Sequence, residues 1–134
     1  MEDINIISFI IAMLIPLITR FIWFKDSVTN GLNSAKTRTI FIEYLALLFS
    51  TFCISLFFLL FNNDIGQEGD FDNFTHGAWH GAFVAVFIGL PMVIVTAYNN
   101  RMSLKAFLLN GSYWLFNLVV IGGIMDAMNH WPNQ

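Results

Sequence analysis

Three histidines and one aspartate are the side chains of this sequence that are best suited to chemistry. His76 and His80 lie four residues apart, and Asp126 and His130 repeat that spacing near the carboxyl terminus. Residues four apart share one face of a helix, so each pair presents two polar side chains together. Imidazole and carboxylate groups are ligands for zinc and other divalent transition metals. The four residues therefore form a candidate metal site.

The same four residues have two other interpretations. An imidazole beside a carboxylate in an apolar environment can instead work as a proton relay or as a catalytic group. In the simplest interpretation, the histidines are interfacial side chains at the start of one helix, and Asp126 and His130 are the polar end of another. No phosphate-binding glycine loop, nucleophile elbow or paired-cysteine motif occurs. The sequence therefore establishes no cofactor and indicates no catalytic residue. It favours a non-enzymatic protein over an enzyme.

A second polar pair is formed by Arg20 and Glu43, each about one turn inside an apolar run. At equal depth on antiparallel helices they can form an ion pair, which lowers the cost of a charge near lipid. Alternatively, Arg20 snorkels to lipid phosphate while Glu43 faces water, or the two residues have a functional role toward a proton or a substrate.

Asn110, Tyr113 and Asn117 form a third polar set, on one face of the last apolar run. An Asn side chain in lipid seeks a hydrogen-bond partner on another helix, so the main interpretation is that this set joins helices. A polar cavity lining for a transported solute is the alternative.

The elements that carry these side chains are four apolar runs, at about 4–24, 39–61, 76–98 and 104–128. Only 11% of the 134 residues are charged, against about 25% in a soluble domain. Each run is long enough to cross the ~30 Å hydrocarbon core of a bilayer and too long for a barrel strand. We therefore predict an all-α fold: a single membrane domain, 1–134, built as an up-down-up-down integral membrane four-helix bundle. Pro16 is expected to kink the first helix.

The basic residues predict the orientation of this bundle. All of them lie in or beside the first and third connectors, which share one side of a four-span chain: Arg20, Lys25, Lys36, Arg38, Arg101 and Lys105. The positive-inside rule places that side in the cytoplasm, so both termini and the acidic second connector face outward. The lipid bilayer is then the first partner, and no basic patch suggests nucleic acid.

A stripe of small residues in the third run suggests how the helices pack. Gly77, Gly81, Ala85 and Gly89 recur at every fourth position, which lets another helix backbone come close. We therefore predict a non-enzymatic helical module that forms a homo-oligomer or joins a larger membrane assembly. A metal-binding protein or enzyme using the outer histidines, and a small transporter or channel subunit, are the alternatives.

The third and fourth runs also resemble a known family of small four-helix bacterial membrane proteins, the domain of unknown function seventeen sixty-one. The motifs that carry the resemblance are Pro91, Tyr98-Asn99-Asn100-Arg101, Lys105-Ala106-Phe107-Leu108-Leu109-Asn110-Gly111-Ser112-Tyr113 and Ile121-Gly122-Gly123-Ile124. Trp23-Phe24 is similar to the family's Trp-Tyr pair, whereas Lys25-Asp26-Ser27 replaces its proline region. The resemblance implies a four-helix fold and the bacterial cytoplasmic membrane, and it implies no reaction.

Overall fold

The computed structural model describes residues 6–25, 37–64 and 73–129 of the chain, and these contain four helices and no strand. The helices are α1 (Ile6–Trp23), α2 (Thr37–Asp64), α3 (Phe74–Asn99) and α4 (Leu104–Asn129). The prediction of an all-helical chain with four apolar helices is thus confirmed. α2 extends past its predicted bounds at both ends.

All four helices are long and apolar enough to span a membrane. The mean hydropathy of the most apolar stretch of each helix ranges from 1.5 in α4 to 2.2 in α1. α4 has the lowest value because it carries the polar residues that face the protein interior, and 39% of its span is buried, against 11% for α3. These properties are those of a multi-pass membrane protein.

α4 is the central helix of the fold. It packs against α1, against α2 and, most extensively, against α3, while α1 also packs against α2. α2 and α3 are consecutive along the chain, yet within the described ranges no comparable contact joins them. The helices meet around a small core contributed by all four: Ala12, Phe58, Leu59, Ala85, Leu118, Ile121 and Met125. The bundle is therefore open along the side between α2 and α3.

Both interior prolines are accommodated without breaking a helix. α1 stays helical through the buried Pro16, which was expected to kink it. In α3 the turn before Pro91 widens into a π-helical segment, Ala85–Gly89, where the Leu90 N–H donates to the Ala85 carbonyl five residues back. Pro91 has no N–H, and its ring crowds the preceding turn, so the wider turn relieves that crowding.

The turn from α3 to α4 holds an arginine where a glycine is usual. The Met102 N–H donates to the Ala97 carbonyl at 2.9 Å and the Arg101 N–H to the Tyr98 carbonyl at 3.2 Å. This pair of bonds closes a helix in the Schellman arrangement, with Arg101 at the left-handed position (φ 50°). A side chain with a Cβ is strained there, at a cost of about 1 kcal/mol.

We predict that Arg101→Gly raises the free energy of unfolding by about 1 kcal/mol, because glycine adopts a positive φ without strain. The measurement is reversible unfolding in mixed detergent micelles, followed by circular dichroism. Arg101→Ala is the matched control, since it removes the charge and keeps the Cβ. Equal effects of the two substitutions would show that the strain contributes nothing to stability.

Candidate functional site

The site begins with a close backbone contact between α3 and α4. Gly77 and Gly81 of α3 lie directly against the carbonyl oxygens of Gly122 and Leu118 in α4. A Cβ on either α3 glycine would overlap those oxygens, so only glycine allows this approach. Gly122 is the reciprocal position, because a Cβ there would overlap the Gly77 carbonyl. The small-residue stripe is therefore a packing surface within one protomer.

The other two members of the stripe lie along the same contact. Ala85 is 1% exposed and belongs to the core. A Cβ on Gly89 would come 3.3 Å from Leu118 Cδ1, which is tight and not prohibitive. Since α4 covers the stripe, the surface that motivated self-association is already occupied inside the chain.

This close approach brings His76 beside Asp126. His76 Nδ1 lies 3.1 Å from Asp126 Oδ2, and Asp126 Cβ lies against the Cα of Gly77. The Asp126 side chain is only 8% exposed and that of His76 23%. Asn73 fixes the start of α3, because its Oδ1 accepts from the His76 backbone N–H at 3.0 Å. A carboxylate and an imidazole are thus held in contact among apolar helices.

His80 completes the described part of the cluster of His76, His80 and Asp126, which we call the outer cluster because the basic residues predict that this end faces outward. Its ring lies edge-on to that of His76, with 4.3 Å between the ring centroids. His130, the fourth residue of the sequence-derived set, lies outside the described residues. In the ranges that the structure describes, no three His, Cys, Asp or Glu side chains are arranged to hold a metal ion. Zinc binding therefore stays a prediction.

A second set of polar side chains joins α1 to α4 at the centre of the bundle. Thr19 Oγ1 donates to Asn117 Oδ1 at 2.7 Å, and Asn117 Nδ2 donates to the Tyr113 carbonyl at 2.7 Å. Tyr113 Oη donates to the Pro16 carbonyl at 2.6 Å. Asn117 and Tyr113 are buried, so these bonds satisfy groups that would be costly in lipid.

Two members of this central set were not found from the sequence. Thr19 and the Pro16 carbonyl are the α1 partners of Asn117 and Tyr113. In the sequence, these partners are only a threonine one turn after a proline in an apolar run. That pattern is too common to predict a hydrogen bond to another helix. Asn110 does not join the set: its amide donates to the Ala106 carbonyl at 2.8 Å, and it lies instead on the open side of the bundle.

The charged pair lies at the opposite end of the bundle from the outer cluster. Arg20 Nη2 donates to Glu43 Oε2 at 2.7 Å, which joins α1 to α2. The Arg20 guanidinium also lies 5.4 Å from the centroid of the Phe24 ring and 5.8 Å from that of Tyr44. Both charged side chains are partly exposed, and an ion pair at such a position contributes little to stability.

Comparison with known proteins now places the fold in a family. A family model matches residues 7–125, which include His76 and His80 and end one residue before Asp126, and the chain belongs to the family described as "Protein of unknown function (DUF1761)". No curated protein and no solved structure matches the chain. The family name specifies no activity, so the described residues are the basis for inferring a function.

We predict that Gly77→Ala and Gly81→Ala each lower the free energy of unfolding by about 1–3 kcal/mol or more, because the added methyl group forces the two backbones apart. Thermal unfolding in detergent measures the effect. Gly111→Ala is the matched control on α4: its Cβ would meet only Leu90 Cδ2, at an ordinary 3.6 Å, so the variant should be neutral or more stable. Glycine variants that are as stable as Gly111→Ala would contradict the close contact.

Proposed function

We propose that this protein is a non-enzymatic multi-pass membrane module that binds protons at the pair formed by His76 and Asp126. The observation that carries the proposal is the 3.1 Å contact between His76 Nδ1 and a nearly buried Asp126 carboxylate. An ionisable side chain inside a membrane is costly to keep and is a functional candidate for that reason. Apolar replacements at position 126 would pack without that cost.

The groups that face the pair come from the two helices that hold it. α3 contributes His76 and His80, and α4 contributes Asp126. His130 follows Asp126 by one helical turn in the sequence and lies outside the described residues. Among the described side chains, Arg20 and Glu43 form their ion pair at the other end of the bundle.

Protonation changes the force between α3 and α4 at this end. A protonated imidazole beside a carboxylate forms an ion pair, a neutral imidazole donates one hydrogen bond to the charged carboxylate, and a protonated carboxyl group loses the charge altogether. A hydrogen bond to a charged group contributes about 1.5–3 kcal/mol, against about 0.5–1.5 kcal/mol for one between neutral groups. Such a difference changes the population of a closed outer end by on the order of tenfold or more. The module would thereby couple proton binding on one side of the membrane to helix packing.

We predict that the distance between the outer ends of α3 and α4 depends on pH. Spin labels at Trp79→Cys and Ala127→Cys, both exposed positions, are placed in a Cys53→Ser background in liposomes. Pulsed electron paramagnetic resonance then gives the distance distribution at pH 5 and pH 8. The distribution should differ between the two pH values in the parent protein and should be the same at both in Asp126→Asn.

Two further arms of this experiment separate the alternatives. Glu43→Gln removes a carboxylate at the opposite end and should leave the pH response unchanged. Zn²⁺ added at fixed pH tests metal binding directly, and a zinc response that His80→Ala abolishes would favour the metal interpretation. A pH response that persists in Asp126→Asn, or no response in the parent, would refute the proposed proton site.

A further inference from the structure

The open side of the bundle contains a cleft that none of the preceding interactions uses. The cleft has a volume of about 420 Å³ and is lined by side chains of α2, α3 and α4, which is within the usual size range of ligand pockets. Ile54 forms the α2 wall, Val84 and Ile88 form the α3 wall, and Trp114 and Leu118 form the floor on α4. The cleft exists because α4 separates α2 from α3, and its walls are mostly apolar.

Polar groups gather where the cleft approaches the α3–α4 turn. Thr96 and Asn110 line it there, next to Met102 from the turn itself. Asn110 Nδ2 donates one of its two hydrogens to the Ala106 carbonyl, so the amide can still donate the other and accept at Oδ1. A cleft that is apolar along its length and polar at one end matches an amphiphile, with an apolar chain and a polar head.

The charge at this end indicates which kind of head fits. Arg101 is exposed and directly precedes Met102, which lines the cleft, so a base lies one residue from the cleft lining along the turn. Lys105 lines a separate depression together with Leu104 and Leu108. A single base beside the membrane surface favours an anionic headgroup. The arginine also occupies a strained backbone position, which glycine would occupy at lower cost.

We propose that this cleft binds one anionic phospholipid from the leaflet next to the Asn99–Ser103 turn. An acyl chain of the lipid lies between α2 and α3 and over Trp114, and its phosphate lies at Arg101. This cleft is separate from the outer cluster, which lies at the other end of α3. A lipid is favoured over a transmembrane helix by the charge complementarity at the mouth and by the size of the cleft.

The test uses Trp114 as a reporter of what fills the cleft. The other three tryptophans are replaced (Trp23→Phe, Trp79→Phe, Trp131→Phe), and the protein is reconstituted in phosphatidylcholine vesicles. Phosphatidylglycerol or phosphatidylcholine with brominated acyl chains is then added at equal mole fractions. Brominated phosphatidylglycerol should quench Trp114 with about fivefold higher relative affinity, the preference expected from one base. Arg101→Gln should abolish the preference and Lys105→Gln should preserve it.

The controls fix what would overturn the proposal. A variant that retains only Trp79, which is 63% exposed near the other end of α3, should show equal quenching by the two lipids. Equal quenching of Trp114 by both headgroups, or a preference that survives Arg101→Gln, would refute the lipid site. If a second copy of the chain fills the cleft, it shields Trp114, and quenching is weak until dilution of the protein in lipid separates the two copies. That result would also refute the lipid site. Native mass spectrometry of the protein with all four tryptophans provides a second readout, in which Arg101→Gln should lose one retained phosphatidylglycerol.

Discussion

The contact of the α3 backbone with the α4 backbone is the constraint on which the rest of the structure depends. In lipid, helices gain little from the hydrophobic effect and associate through close packing and hydrogen bonds. Gly77, Gly81 and Gly122 have no side chain at the contact, so at these positions the two helices meet backbone to backbone. α3 packs mainly on α4, so the position of everything on α3 follows from this contact.

Two features follow directly from that contact. At one end of α3 it holds His76 against Asp126, a pair that a wider helix separation would pull out of reach. Farther along, it fixes α3 as the second wall of the cleft, while α2 is held by its packing against α1 and α4. The site at the outer end and the cleft are therefore consequences of the same packing, although each has its own chemistry.

The remaining helices are held by a different interaction. α1 has no glycine stripe, and it is joined to α4 by the hydrogen bonds of Thr19 and Tyr113. Each of these bonds satisfies a buried polar group, so removing one partner leaves the other unsatisfied in an apolar environment. The Arg20–Glu43 pair then connects α1 to α2 at partly exposed positions, where its contribution is small.

The sequence predicted the elements of this structure better than their arrangement. Apolar length was sufficient to predict the four helices, because lipid leaves the backbone few other solutions. Helical spacing also grouped His76 with His80, and Arg20 with Glu43 by depth. Spacing cannot identify the partner of a stripe, so Gly77 and Gly81 predicted a close helix contact without indicating Gly122, and self-association stays a prediction. The separation of α2 from α3 depends on helix packing, and the positive φ of Arg101 depends on the geometry of its turn. Neither leaves a periodic pattern in the sequence.

The most direct measurement is magic-angle-spinning nuclear magnetic resonance of the protein in bilayers, with ¹³C in the glycines and diluted in an excess of unlabelled protein. The account predicts a through-space correlation between the Gly77 Cα and the Gly122 carbonyl carbon that keeps its intensity per labelled molecule on dilution. A correlation that is absent, or that disappears on dilution because it joins two copies, would contradict the account.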